Sequence, residues 1–131
     1  MEEIEIKQIS EREYWVGENR MYISENIIFL IGVGDKNMNM VIKINEVLHK
    51  LSNMVEGEIK IFIDANKEGK LSAEARKVMK ESFLDDKIGK IAIYGIHPVA
   101  QVIASFIMGV SKNRNEKFFN NTEKAIAWLN E

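Results

Sequence analysis

The chain has 131 residues, of which 46% are hydrophobic and 29% charged, with a formal net charge of −2 and no cysteine. This length and composition predict one soluble domain spanning residues 1–131. The slightly negative net charge provides no excess of basic residues for binding nucleic acid. Disulfides, thiolate catalysis and zinc–cysteine or iron–sulfur sites are excluded.

The first elements predicted along the chain are three strands. Residues 14–16 and 21–23 flank the turn formers Gly17 and Asn19, which predicts a hairpin. Residues 27–33 form a continuous apolar run, which is typical of a central strand that is buried on both faces.

An amphipathic helix of about four turns follows, with apolar residues at three- and four-residue steps from Met40 to Met54. Either Asp35 or Asn37 can cap its beginning, and Gly57 is expected to end it.

The middle of the chain alternates between strand and helix patterns. Residues 59–63 predict a strand that finishes at Asp64, and residues 65–70 predict a polar loop. Ser72 then opens a second helix, and residues 90–94 predict another strand.

The next predicted helix, residues 98–110, is apolar almost all round, with Pro98 in its first turn. One interpretation is a central core helix, and the other is that its second face lines a ligand cavity or an oligomer interface. His97 precedes it, either to satisfy local backbone groups or as a ligand or proton-transfer group. The candidate ligand-binding residues of this segment are His97, Gln101, Val102, Ser105, Phe106 and Met108.

A short strand at residues 117–119 and a last helix capped by Thr122 complete the chain. The predicted order is βββαβαβαβα, an α/β fold with a mostly parallel sheet, an N-terminal hairpin and right-handed crossovers.

Right-handed crossovers in a sequentially ordered sheet place every crossover helix on one face of it. The opposite face would then show Lys60, Phe62, Ala92 and Tyr94, with Ile28 and Leu30 or their neighbours. This surface is too apolar to be left in water. The hairpin, with Tyr14 and Trp15, is one candidate to cover it, and a second subunit or an apolar ligand is the other.

Four short motifs occur in an order that resembles a known superfamily. Ser72, Ala75 and Arg76 follow a strand ending in Asp64, and residues 88–95 precede His97 and Pro98. Phe118 and Phe119 then precede a helix containing Ala125, Ala127, Trp128 and Leu129. From about Trp15 onward the chain resembles the STAS-like superfamily. This group comprises the SpoIIAA-like anti-sigma-factor antagonists and the related CRAL-TRIO lipid-binding fold. More narrowly, the chain is similar to small stand-alone prokaryotic proteins of this class.

The resemblance implies a regulatory or protein-interaction module. In the antagonists, a partner kinase phosphorylates a serine at the start of the helix after such a strand, and the added charge switches partner binding. Ser72 stands at the comparable place, which makes Ser72, Asp64 and Arg76 the candidate partner-binding site. The structural interpretation is that Ser72 only caps its helix, and both roles are compatible.

The residues themselves offer no nucleophile–base–orienter set, so we expect no enzyme, no catalytic residue and no cofactor. His49 lies on the polar face of its helix, so no metal site with His97 is expected. The acidic N-terminus and the absence of a sufficiently long apolar run predict a cytoplasmic protein without stable membrane insertion. A homodimeric interaction module is the first functional hypothesis, and a carrier or sensor of a small apolar, lipid-like ligand is the alternative.

Overall fold

The computed structural model of the protein describes residues 4–82, 87–95 and 115–131. Within these ranges one seven-stranded sheet is accompanied by three helices, none of which has the length and hydropathy needed to span a bilayer. The strands are β1 (Ile6–Ser10), β2 (Glu13–Val16), β3 (Asn19–Ser24), β4 (Ile27–Lys36), β5 (Ile59–Leu71), β6 (Ile88–Tyr94) and β7 (Asn115–Phe119). The helices are α1 (Met38–Ser52), α2 (Ala73–Ser82) and α3 (Thr122–Leu129).

The strands lie in the sheet in the same order as in the chain, from β1 to β7. The pairs from β1 to β4 are antiparallel, and those from β4 to β7 are parallel. The predicted α/β class is confirmed, but the sheet is mixed rather than mostly parallel. The predicted order omits β1, a polar edge strand, so four strands precede α1. The predicted helix at 98–110 falls outside the described residues.

The predicted hairpin turn lies between β2 and β3, where Gly17 adopts a φ of +59°. Asn19, which is 1% exposed, follows it, and its side chain bonds to the backbone at two places. Its Nδ2 donates to the Val16 carbonyl at 2.9 Å, and its Oδ1 accepts from the Val33 amide at 2.8 Å. The amide side chain therefore fastens the hairpin to β4.

Helix α1 begins after Asn37, whose Oδ1 accepts from the Met40 amide at 2.9 Å. Of the two predicted caps, Asn37 is the one used, because Asp35 still belongs to β4. The helix ends at Ser52, before the predicted stop at Gly57, which has a φ of +81°. Its buried stripe consists of Val41, Ile44, Val47, Leu48 and Leu51.

Strand β5 continues through residues 65–70, so the predicted polar loop there is wrong. It stays paired with β4 as far as the Lys36–Leu71 pair. Glu68 is buried in this stretch and forms an ion pair with Lys36 of β4, with side chains only 4% and 2% exposed. Polar residues persist in the strand because a cross-strand charge pair and the backbone ladder satisfy them. Gly32 leaves the space that the Glu68 carboxylate occupies.

The sheet has two apolar faces. The first, which we call the α1 face, packs alternate strand residues such as Ile28, Leu30, Ile61 and Ile63 against α1 and α2. The second, which we call the α3 face, carries a smaller cluster in which strand residues contact α3. The members of this cluster are Ile27, Phe62, Ala92, Ala125 and Leu129, with Phe29, Tyr94, Phe119, Ile126 and Trp128 at its edge.

The prediction that Phe62, Ala92 and Tyr94 share the second face is therefore confirmed. The suggestion that the hairpin covers this face is wrong, because β2 and β3 extend the sheet sideways, and Tyr14 packs on the α1 face. Helix α3 covers part of it instead. Its cap is Asn121, which accepts from the Lys124 amide at 2.9 Å, and not the predicted Thr122.

Candidate functional site

A row of four aromatic rings crosses the α3 face from β3 to β6. The centroids of Tyr22 and Phe29 are 4.7 Å apart with nearly parallel planes, those of Phe29 and Phe62 are 5.3 Å apart, and those of Phe62 and Tyr94 are 6.0 Å apart. Strand register produces the row, because Tyr22 pairs with Phe29 and Phe29 pairs with Phe62. Ala92 stands opposite Phe62, so the next aromatic on that face of β6 is Tyr94.

The aromatic row lines a cleft of about 290 Å³ between the sheet and the start of α3. Phe62 is buried, whereas Tyr22, Phe29 and Tyr94 are half-buried. The remaining lining residues are Ser24, Ile31, Asp64, Thr122 and Ile126. The volume lies close to the lower end of the range for small-molecule sites, roughly 300–1,000 Å³, which limits an occupant to a small molecule.

Asp64 supplies a carboxylate to this mainly aromatic cleft. Its Oδ1 accepts from both the backbone amide and the Nδ2 of Asn66, each at 3.0 Å. Neither a hydrogen bond to Oδ2 nor an ion pair to Asp64 occurs within the described ranges. Two bonds on one oxygen hold the carboxylate in place, while the other oxygen remains able to accept.

An ion pair closes the outer end of the aromatic row. Arg20 donates from Nε to Glu13 Oε2 at 2.9 Å and from Nη2 to Oε1 at 3.3 Å. The hydrogen bond from Arg20 lowers the pKa of Glu13 below its usual range. The same guanidinium lies 4.4 Å from the centroid of the Tyr22 ring. Charge at this end is therefore balanced, and one ring of the row already contacts a cation.

The three residues of the predicted partner-binding site are not all brought together. Ser72 Oγ accepts from the Ala75 amide at 3.1 Å and so caps α2, as its structural interpretation predicted. Exposed Arg76 is one turn further along, and its amide donates to the Ser72 carbonyl. Asp64 lies in the interior of β5, and the stretch from there to Leu71 is roughly 20 Å long at ~3.3 Å per residue.

Two further sets of residues complete the predicted candidates. His97, Gln101, Val102, Ser105, Phe106 and Met108 lie outside the described residues. His49 is exposed on α1, and the described ranges contain no cluster of three or more His, Asp or Glu side chains that could hold a metal ion.

Sequence reasoning identified Phe62, Tyr94 and Asp64 separately but missed Tyr22 and Phe29 as members of the same site. The sequence does contain a sign of the row. Side chains alternate between the two faces along a strand, so aromatic residues at alternate positions of successive strands can be assigned to one face of the sheet. Which rings meet depends on the cross-strand register, and the sequence does not state that register.

Comparison with known proteins supports the fold. One solved structure that resembles this one is the crystal structure of an uncharacterised protein from the DUF3478 family with a SpoIIAA-like fold, from Shewanella loihica PV-4. The two agree with a TM-score of 0.67 over 85% of this chain and 91% of that chain, at 17% sequence identity. The predicted resemblance to SpoIIAA-like proteins is thus confirmed at the level of the fold.

Family assignment comes from the sequence. Comparison with curated proteins gives no significant match. A family model described as "Domain of unknown function (DUF7793)" matches residues 21–131, which run from β3 through α3. The chain therefore belongs to the DUF7793 family.

Proposed function

We propose that this domain is a non-enzymatic binding module whose cleft on the α3 face takes a small ligand with an apolar body. The observation that carries the proposal is the row of four rings, three of them only half-buried, beside a cleft of about 290 Å³. Aromatic surface that remains accessible in a concave site favours an apolar partner, because burying it removes apolar area from water. Such a ligand corresponds to the alternative hypothesis from the sequence, a carrier or sensor of a small apolar molecule.

The polar groups of the cleft support binding rather than catalysis. The hydrogen bonds of Asp64 go to Asn66, and among the described cleft residues no hydroxyl is bonded to a base. A nucleophile needs an adjacent base to be activated near neutral pH. Few polar groups on a largely apolar wall are instead the usual arrangement for fixing the orientation of a bound molecule.

The test is a comparison of two tryptophan substitutions in strands. Ser24 is exposed and lines the cleft, so Ser24→Trp should fill it, whereas Gln8→Trp adds the same side chain to an exposed position of β1 outside the cleft. We expect N-phenyl-1-naphthylamine, a dye that fluoresces in apolar surroundings, to bind the wild type and Gln8→Trp. Binding to Ser24→Trp should fall at least ~10-fold.

Native mass spectrometry of the protein as purified provides a second measurement. A co-purified small mass that is present on the wild type and absent from Ser24→Trp would support the proposal. Equal dye binding by both variants, with no bound mass on the wild type, would contradict it.

The second candidate function is a partner-binding or homodimeric regulatory module that is switched at Ser72. The observation in its favour is that Ser72 stands at the N-terminus of α2 with Arg76 one turn on. A phosphate there would gain from the helix dipole and from the guanidinium. The test compares Ser72→Asp with Ser72→Ala by analytical ultracentrifugation and by partner capture. Identical behaviour of the two variants would eliminate the switch.

A further inference from the structure

We infer that the ligand of the cleft is an organic cation, an ammonium group on a small apolar body, held by the aromatic faces and by the Asp64 carboxylate. This inference rests on the proposed function, since it names the chemical class that the same cleft would take. Three independent features of the described residues support it.

The first feature is the aromatic row itself. Ring faces carry the negative end of the aromatic quadrupole, so they attract cations within about 6 Å of the centroid. The row shows this interaction at its outer end, where the Arg20 guanidinium lies 4.4 Å from the centroid of Tyr22. Phe29, Phe62 and Tyr94 continue the same surface into the cleft, where a ligand cation could make the equivalent contact.

The second feature is the balance of charge on the α3 face. Among the described residues of this face, Arg20 and Lys90 are engaged elsewhere, and Lys60 does not line the cleft. Arg20 is paired with Glu13, and Lys90 donates to the Trp128 carbonyl at 3.0 Å and to the Glu131 carbonyl at 3.1 Å. Asp64 has no ion pair within the described ranges. A half-buried carboxylate beside aromatic rings therefore gives the cleft a negative charge that an ammonium group would balance.

The third feature is the helix terminus at the cleft wall, because free amides and the helix dipole at such a terminus attract anions. The N-terminus of α3 reaches the cleft through Thr122. Its orphan amides are partly satisfied, because Asn121 accepts from the Lys124 amide, and Glu123 adds a negative charge in the first turn. Both reduce the attraction of this terminus for an anionic ligand.

Three small probes of nearly the same shape separate the possibilities. Choline carries the ammonium group, 3,3-dimethylbutan-1-ol replaces its nitrogen by carbon and is neutral, and 3,3-dimethylbutanoate is anionic. Their affinities are measured by chemical-shift titration of the 15N-labelled full chain. We expect choline to bind about tenfold more tightly than the alcohol, a ratio within the range of cation–π attraction plus one carboxylate, and the butanoate to bind most weakly.

Asp64→Asn tests the carboxylate, because an amide oxygen at the same place can still accept from Asn66. We expect this variant to reduce the preference for choline over the alcohol to about threefold or less. Glu74→Gln is the matched control, since it removes the same charge from an exposed residue of α2, the helix that packs on the opposite face of the sheet. We expect the preference of this variant to match that of the wild type.

Each outcome separates the two proposals. If the alcohol binds the wild type as tightly as choline, or the butanoate binds best, the cation inference is overturned. The proposed function, a binding site for an apolar ligand in the cleft, is then retained. The same holds if the naphthylamine dye binds and choline does not. If neither the dye nor any of the three probes binds, the proposed function itself fails.

Discussion

The buried ion pair between Lys36 and Glu68 predicts a large effect from a single neutral substitution. Both side chains are almost completely shielded from solvent, at 2% and 4% exposure. Burial, opposed in part by the charge of Asp35, lowers the pKa of Lys36 to about 8 from 10.5. The Glu68 carboxylate offsets this penalty by direct contact. Glu68→Gln removes the charge and keeps the size of the side chain, so it leaves the desolvation of Lys36 uncompensated.

The magnitude follows from the pKa difference. At about 1.4 kcal/mol per pKa unit, the lowered pKa means that holding Lys36 charged costs the wild type about 3 kcal/mol at pH 7. Removing the charge of Glu68 should cost a further ~3–5 kcal/mol, as is typical of breaking one side of a buried pair. The direction of the Lys36 pKa shift also determines how the folding stability depends on pH. A lowered pKa in the folded state makes the unfolded chain bind more protons between about pH 8 and 10.5. The stability of the wild type should therefore rise as the pH increases through that window, and the deficit of Glu68→Gln is measured at pH 7, below the window, where Lys36 is charged.

The assay is urea unfolding of the wild type, Glu68→Gln and the double variant Lys36→Met/Glu68→Gln. The double variant should lose about 1 kcal/mol or less, because it removes both charges together. Glu46→Gln is the control, since it breaks the exposed Lys43–Glu46 pair, whose atoms are 3.9 Å apart, and should change stability by less than ~0.5 kcal/mol. If Glu68→Gln costs no more than Glu46→Gln at pH 7, the reasoning is refuted.

Three smaller predictions test other contacts. Asn121→Ala should lower the free energy of unfolding by about 1 kcal/mol, because it removes the cap of α3, while Thr122→Ala should change it by less than half of that in the same urea titration. Arg20→Met should raise the pKa of Glu13 back to its usual range, which a carboxyl carbon NMR titration would detect, and an unchanged pKa would count against the pair. Gly69→Ala should destabilise by ~1–3 kcal/mol in urea, because the new Cβ would meet the backbone of β4 at 2.6–2.7 Å. A neutral result there would mean that the two strands separate readily.

The sequence predicted the elements whose apolar periodicity is strong and missed those in which polar residues are buried or paired. The run at 27–33 and the stripe of α1 were recognised because hydrophobic spacing alone defines them. The second half of β5 was mistaken for a loop because its polar residues are stabilised by a partner strand, and Glu68 by a charge on that strand. The missed strand β1 is an edge strand whose exposed residues carry little pattern.

The candidate site was predictable only in its parts. Alternation placed Phe62 and Tyr94 on one face of the sheet, and chain order placed Asp64 on the same strand as Phe62. The contact between Tyr22 and Phe29 depends on how β3 and β4 align, and that alignment is a tertiary property. The role of α3 as the cleft wall was also missed, because a helix after the last strand is free to pack on either face.

The strands lie in the sheet in the order in which they occur in the chain, and this affects how the chain folds. Within the part of the chain that the structure describes, each strand pairs only with the strands that precede and follow it, so these pairings join neighbouring segments. The antiparallel part from β1 to β4 closes only short connections, whereas each later parallel pair requires a longer crossover and a greater loss of chain entropy. We therefore expect the N-terminal meander to form early and to serve as the edge onto which β5, β6 and β7 are added in turn.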